Sequence, residues 1–318
     1  MWGQNRWAVD VSGQSVRERF MRRFVGMEKY SRWVAWLVVS SYIAQVVVGI
    51  YLGNYLLSLD LSVWTVSAMV LVAVLIGTRL RGINNIVHEC SHSSFAAKRE
   101  DNVTLGRLCS SLLTGCFKTY KEDHLSHHSH LGDYAHDHEF AVLEKFKLHE
   151  EVTWKKVAHL FFAPLLGRHL TTYSGVNLSS ADGWHWYGVK VLFLSLIVHM
   201  TIVAPLTAIF FIILPWFFIF PTLNFWTDCL DHAGICGESD ELKASRNVLA
   251  PGLIRYVFFP RNDCYHLVHH LFPQIPARHL HKAHAELCKD PEYGDEPVAT
   301  LPTFRTRSAS KSFGGATA

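Results

Sequence analysis

The stretch LSVWTVSAMVLVAVLIGT, residues 61 to 78, carries no charged side chain. Its length is close to the ~20 residues that a helix needs to cross a hydrocarbon core about 30 Å thick. A second uncharged run, Trp33 to Leu57, precedes it, and little more than Asp60 separates the two. Two such neighbours predict a pair of membrane-spanning helices rather than the core of a soluble domain.

A third apolar run, Val189 to Phe220, is too long for one span, because as a single helix it would measure about 50 Å. Pro205 lies near its middle, where the missing N–H and the ring favour a break. The sequence therefore predicts an all-α integral membrane protein with four transmembrane helices in two hairpins, over residues 33–57, 61–78, 188–204 and 205–226.

Basic residues indicate how these spans are oriented. They are frequent in the N-terminal segment, between Arg79 and Trp186 and after Cys229, whereas the connections near Asp60 and Pro205 have none. The positive-inside rule then places both termini and the long middle segment in the cytoplasm, where they would form a helical cap. In a bacterium the membrane would be the inner one. This bias accounts for the net charge of +3 without a nucleic-acid partner.

We expect residues 1–300 to form a single membrane domain. Residues 301–318 end in a small, polar sequence with too little apolar surface to offset the entropy of ordering, so they are predicted to be a mobile tail. The seven cysteines include no C-x-x-C pair, which fits a reducing compartment without a disulfide framework.

The pentapeptide HECSH, residues 88 to 92, matches H-E-x-x-H, in which two histidines one helical turn apart hold zinc and the glutamate activates water. It is one of several histidine motifs in a chain with 20 histidines. HLSHH at 124–128 and HLVHH at 266–270 place histidines on one helix face, and DCLDH ends at His232. A zinc peptidase uses three protein ligands and a water, so these motifs hold more histidines than one metal needs.

Two metals with four or five ligands each would use all nine histidines of these motifs. Imidazole suits zinc, copper, iron and nickel, so the ligand type does not choose among these metals. Oxidation of a saturated carbon, however, requires a metal that changes valence, which zinc does not do.

The ordered motifs H-x-x-x-H, H-x-x-H-H and H-x-x-H-H around two hairpins resemble the membrane fatty acid desaturase and hydroxylase superfamily. The likeness runs from the first span to Leu287, and YHLVHHLFPQIPARHL reads like that family's third box and its continuation. The resemblance implies a non-haem di-iron centre that activates O2 and removes hydrogen from an unactivated carbon. The implied iron ligands are His88, His92, His124, His127, His128, His232, His266, His269 and His270.

Carboxylates beyond the ligands are expected to orient histidines and balance charge. Glu89 and Asp228 are the favoured candidates, ahead of Asp123, Asp137, Glu139 and Asp263. Some relatives carry an asparagine, which acts through water, at the position that Asp228 occupies here.

The sequence contains no fingerprint for flavin or nicotinamide and no cysteine pattern for an iron–sulfur cluster. Electrons are therefore expected from an external ferredoxin or a cytochrome b5-like protein with its reductase. The leading prediction is a desaturase of an acyl chain in a lipid or lipid-like substrate. The alternatives on the same centre are a hydroxylase, a ketolase or a desaturase of a small amino-acid-derived metabolite. A membrane zinc metallopeptidase and a metal-binding transporter are the alternatives from other classes.

Overall fold

The computed structural model describes residues 11–300, and over these residues the chain folds into helices. Extended pairing in this part of the chain is limited to an isolated bridge between Tyr30 and Ala96. The prediction of an all-α protein is confirmed. The predicted mobile tail over 301–318 lies outside the described residues, as do residues 1–10 of the predicted domain.

We number the longer helices in chain order: α1 (Val11–Phe24), α2 (Arg32–Leu57), α3 (Val63–Ser91), α4 (Arg99–Leu112), α5 (Phe117–His130), α6 (Trp154–Phe162), α7 (Trp184–Val203), α8 (Pro205–His232), α9 (Gly252–Phe258), α10 (His266–Leu271) and α11 (Leu280–Leu287). Helix α8 includes two π-helical stretches, Ile209–Ile213 and Pro215–Ile219. Shorter helices and turns cover His138–Ala141, Glu144–Phe146, Pro164–Leu166, Leu170–Tyr173, Pro260–Asn262, Ala277–His279 and Pro291–Gly294.

Four helices, α2, α3, α7 and α8, are long and apolar enough to cross a membrane. Helix α3 has 29 residues and is therefore about 44 Å long, well beyond a hydrocarbon core of about 30 Å. The predicted span 61–78 covers only its N-terminal part. Helix α7 begins before the predicted residue 188, and α8 continues past 226 to His232. The hairpin arrangement and the side of the membrane on which each end lies remain predictions.

Local chemistry explains where the spanning helices begin and end. Ser62 caps α3, since its hydroxyl accepts a hydrogen bond of 3.1 Å from the backbone N–H of Thr65. Helices α7 and α8 are separated at Ala204, which has φ −145° and ψ 65°. Pro205 follows directly, and its ring disfavours a helical conformation in the residue before it.

Two glycines on α3 allow its neighbours to pack closely. A Cβ at Gly82 would lie 2.0 Å from the Tyr42 ring of α2, and one at Gly77 would lie 2.4 Å from Ile219 of α8. Helix α3 therefore packs between α2 and α8 at distances that a larger side chain would prevent.

The C-terminal ends of α3 and α8 meet the two shorter helices α5 and α10. Asn85 of α3 donates a hydrogen bond of 2.8 Å to the carbonyl of Pro260, in the turn that precedes α10. At the other end of α10, Arg17 of α1 donates a hydrogen bond of 3.0 Å to the carbonyl of Leu271. These contacts fix α10 against the ends of the long helices, which is where the sequence motifs come together.

Candidate metal centre

All nine histidines that the sequence motifs singled out lie together in two groups. The five-histidine group contains His88, His92, His124, His128 and His269, and the four-histidine group contains His127, His232, His266 and His270. Within each group every residue offers one ligand atom, and these atoms all lie within 4.8 Å of one another. The motifs therefore divide into five and four possible ligands.

Imidazole nitrogens of the five-histidine group face one another. The Nε2 atom of His124 lies 2.9 Å from the Nε2 atom of His92. The Nε2 atom of His128 lies 3.1 Å from that of His124 and 3.0 Å from that of His269. The Nε2 atom of His88 is buried and has no hydrogen-bond partner among the described residues. Several lone pairs that converge on one point, one of them without any partner, form a suitable donor set for a metal cation.

The four-histidine group has the same convergent form. The Nε2 atom of His266 lies 2.8 Å from that of His232 and 3.0 Å from that of His270. Helix α8 supplies His232, α5 supplies His127, and α10 supplies the other two. Three helices distant in sequence therefore contribute to one set of nitrogen atoms.

Burial keeps most of these rings neutral. It lowers the pKa of His124, His128, His266, His269 and His270 well below the ordinary histidine value. Because only the neutral imidazole can ligate a metal, this environment prepares the rings for binding. Burial also lowers the pKa of His127, but the hydrogen bond to Asp137 and the charge of Glu139 outweigh it, and the net shift is upward.

Carboxylates and a carbonyl orient three of the rings through Nδ1. Asp137 accepts a hydrogen bond of 2.9 Å from His127, and Glu139 accepts one of 2.8 Å from His124. His232 donates from Nδ1 to the carbonyl of Ala244 at 3.3 Å. The carboxylate of Asp137 and the carbonyl of Ala244 can only accept, so Nδ1 carries the proton in His127 and His232 and Nε2 is left free for a metal.

The carboxylates that contact histidines are not the two that the sequence favoured. Glu89 is buried and accepts from the side chain of Arg261 and, at 3.1 Å, from the backbone N–H of Ala277. Asp228 accepts a hydrogen bond from the hydroxyl of Tyr173. Asp231, which sequence reasoning missed, lies 3.6 Å from Nδ1 of His266. Its position directly before His232 was the available signal.

A cavity of about 560 Å³ opens beside both histidine groups. His88 and His124 of the five-histidine group and His266 of the four-histidine group contribute to its wall. The remaining lining comes from α3, α5 and α8, from residues 110–116, 138–142 and 171–177, and from Asp263. The cavity therefore gives a small molecule access to both groups.

Together the fold and the site define a helical protein with four potential membrane spans and two histidine groups suited to metals. The model of the fatty acid desaturase family matches residues 65–301, more than half of the chain. The chain belongs to the fatty acid desaturase family, and it is a membrane protein and a desaturase-like oxidoreductase. The peptidase and transporter alternatives are accordingly set aside, and Glu89 is bound by Arg261 rather than free to act as a base.

Two curated relatives are similar over most of the chain. Dihydrorhizobitoxine desaturase of Bradyrhizobium elkanii is 27% identical over 241 residues, which make up 70% of this chain and 68% of that protein. The chloroplastic omega-3 fatty acid desaturase of Sesamum indicum is 25% identical over 244 residues, 68% of this chain and 54% of that protein. This chain thus matches only about half the length of the second relative.

The family generally implies iron, and the residues present fit that metal. Nine imidazoles in two groups, the unpartnered Nε2 atom of His88 and the carboxylates behind His124 and His127 form a nitrogen-rich donor set with its orienting partners.

Proposed function

We propose that this chain is an O2-dependent desaturase with a non-haem di-iron centre. The observation that carries the proposal is the division of nine histidines into groups of five and four. Each group would hold one iron, with ligands as in the sequence prediction. Iron, when bound, supplies the activation of O2 and the change of valence that removal of hydrogen from a saturated carbon requires.

The overall reaction balances with an external reductant. A CH2–CH2 unit, O2, two electrons and two protons give a CH=CH unit and two molecules of water. We propose that a ferredoxin, or a cytochrome b5-like protein with its reductase, supplies the electrons. This partner would dock on the cytoplasmic side, where we also place both termini and the histidine groups.

The chain's own residues position the ligands and the substrate. Asp137 and Glu139 hold the rings of His127 and His124 so that each Nε2 points to the centre. The cavity beside His88, His124 and His266 would hold the carbon–carbon bond next to these rings.

Two classes of substrate are candidates, an acyl chain and a small metabolite. The sequence favours an acyl chain, and one relative is named as a fatty acid desaturase. The other is named for dihydrorhizobitoxine, and the five carboxylates that line the cavity support the second candidate, a desaturase of a small metabolite. Hydroxylation and ketolation on the same centre remain alternative outcomes, since the ligands determine the oxidant and not the product.

Mass spectrometry of lipids and small metabolites tests the proposal. Cells that produce the wild-type chain are compared with cells that produce His127→Ala. The expected result is a product two hydrogens lighter than its precursor in the wild-type cells alone. A product one oxygen heavier would replace desaturation with hydroxylation, and identical profiles in the two cell lines would contradict an oxidative function.

A further inference from the structure

The cavity beside the histidine groups is rich in carboxylates. Five line its wall: Asp123, Glu139, Asp228, Asp231 and Asp263. Arg81 is the one arginine among the described lining residues, and no lysine accompanies it there. The formal charge of the wall is therefore negative, apart from any charge that metals bring.

Arg81 is fully engaged by the protein. Its guanidinium forms an ion pair with Asp263 and donates to the Asn224 side chain at 2.6 Å and to the Phe258 carbonyl at 3.0 Å. This arginine neutralises one carboxylate of the wall and leaves few donors for a ligand. An anionic group in the cavity would therefore face the other carboxylates without a free arginine or lysine side chain from the described lining to bind it.

Asp231 has an oxygen atom that needs a donor. The residue is 1% exposed, and its Oδ1 atom is buried without a hydrogen-bond partner among the described residues. Leaving a buried acceptor unsatisfied costs about 1–3 kcal/mol, and more for a charged group. Asp231 also lines the cavity, so a ligand with N–H donors could satisfy this atom.

Asp228 lies near Asp231 on the same helix face. The two are three residues apart on α8, a spacing that places side chains on one side of a helix, and both line the cavity. Asp228 accepts a hydrogen bond from neutral Tyr173, which leaves its negative charge uncompensated by that contact. Two carboxylates beside one cavity form a suitable site for an ammonium group.

The rest of the wall mixes apolar and neutral polar side chains. Small-molecule pockets are usually lined mainly by apolar side chains, with few polar groups. Here the large apolar side chains are Val87, Leu113, Val142, Val176 and Phe220, whereas the neutral polar ones include Asn84, Asn85, Ser110, Thr114, Thr171, Thr172, Asn177, Asn224 and Thr227. Several of these neutral groups already have protein partners, among them Asn85, Asn224 and Thr227, so the carboxylates are the polar groups of the wall that distinguish it.

We propose that this cavity binds a small substrate with a protonated amino group, which Asp231 and Asp228 hold so that a neighbouring carbon–carbon bond lies beside the histidine groups. This inference rests on the proposed function, which holds that the carbon–carbon bond is desaturated. It adds the chemical class of the substrate. The ammonium group would donate a hydrogen bond to Oδ1 of Asp231. Its positive charge would balance the negative charge of Asp228 and Asp231.

The test uses three probes of equal chain length, hexylamine, hexanol and hexanoate. Their binding to the purified, iron-loaded protein in detergent at neutral pH is measured by calorimetry, with empty micelles as the blank. We expect hexylamine to bind at least about tenfold more tightly than hexanol, and hexanoate to bind most weakly. Equal affinities, or preference for hexanoate or hexanol, would overturn the inference.

Matched variants locate the preference. Asp231→Asn and Asp228→Asn should each remove most of the advantage of hexylamine over hexanol, whereas Asp60→Asn, with the same change of charge on the exposed connection between α2 and α3, should retain it. Asp231 lies 3.6 Å from Nδ1 of His266, so iron content is measured in Asp231→Asn and its affinities are compared in iron-replete protein. Asp228 contacts Tyr173 rather than a histidine. If Asp231→Asn loses iron, the binding preference of Asp228→Asn decides whether the carboxylates hold the amine. Full preference for hexylamine in Asp228→Asn and in iron-replete Asp231→Asn would contradict the assignment.

The proposed function and this inference fail in different ways. A protein that prefers hexylamine but shows no iron and no oxidised product would keep the amine site and contradict the desaturase. A protein that desaturates a membrane acyl chain and prefers hexanol or hexanoate would keep the desaturase and contradict the amine site.

Discussion

The two histidine groups share α5 and α10, while α3 completes the five-histidine group and α8 the four-histidine group, and their rings are held differently. In the four-histidine group, Asp137 is completely buried where it contacts His127, and the Ala244 carbonyl fixes His232. In the five-histidine group, Glu139 contacts His124 with 32% of its side chain exposed. A metal site therefore depends on the groups behind its ligands as well as on the ligands.

This difference predicts that the four-histidine group is the more rigid. Asp137 is itself fixed, because its second oxygen accepts a hydrogen bond of 2.9 Å from the backbone N–H of Phe140. Glu139 has a longer side chain with more rotamer freedom and more contact with water. We expect the two groups to respond unequally when these supports are removed.

The largest effect should come from removing a ligand from either group. His127→Ala in the four-histidine group, and His92→Ala and His269→Ala in the five-histidine group, should each lose iron and all oxidative activity, because neither metal works alone. Iron per chain and product formation are the measurements. His136→Ala is the control, since this exposed histidine lies outside both groups. Full activity in both His127→Ala and His269→Ala would refute a shared centre.

The next largest effect should come from the carboxylates that contact ligand histidines, and it should differ between the two histidine groups. Asp137→Asn should lower iron affinity or activity by about 10 to 100-fold, the usual range for a partner of a ligand histidine. Glu139→Gln should lower iron affinity or activity by a smaller factor, because water can reach this partly exposed side chain and take over part of its role. Competition with a chelator measures affinity in both variants. An equal or larger loss in Glu139→Gln would contradict the ranking of the two groups.

The smallest effect on catalysis should come from Glu89, which contacts Arg261 and not a histidine. Glu89→Gln should keep its iron and measurable activity, whereas loss of a general base would lower the rate by about 10² to 10⁴-fold. The same change should lower the Tm, because it leaves the buried Arg261 without its counter-charge.

A second variant distinguishes stability from catalysis. Adding Arg261→Met to Glu89→Gln removes the unpaired charge and should recover part of the lost Tm. If Glu89→Gln instead retained iron and a normal Tm but had no activity, Glu89 would have to be assigned a direct role in the reaction.

The sequence predicted which histidines lie close together, because helical spacing determines which rings share a face, and their role as ligands stays a prediction. His88 with His92, His124 with His128, and His266 with His270 are each separated by four residues, and each pair stays within one group. The sequence did not predict that His127 would lie in the four-histidine group, apart from His124 and His128. Nor did it predict that His269 would lie in the five-histidine group, apart from His266 and His270. Successive residues differ by about 100° around a helix, so the choice of group depends on how α3, α5, α8 and α10 are placed in three dimensions.

The supporting carboxylates were harder to predict because they depend on irregular backbone. Asp137 and Glu139 reach His127 and His124 only because the chain turns back after α5 into the short helix His138–Ala141. Glu89 is adjacent to His88 in sequence, but its position on α3 directs it to Arg261. Spacing along a helix therefore identified the histidines that cluster, and tertiary contacts determine which groups support their rings.

Metal stoichiometry tests the central claim most directly. The wild-type chain is purified from iron-replete cells, its metals are measured by mass spectrometry, and its oxidative activity is assayed in the same preparation. Two groups of histidines predict about two irons per chain in active protein. Active protein that contains stoichiometric zinc and no redox-active metal, or a single metal per chain, would contradict the account.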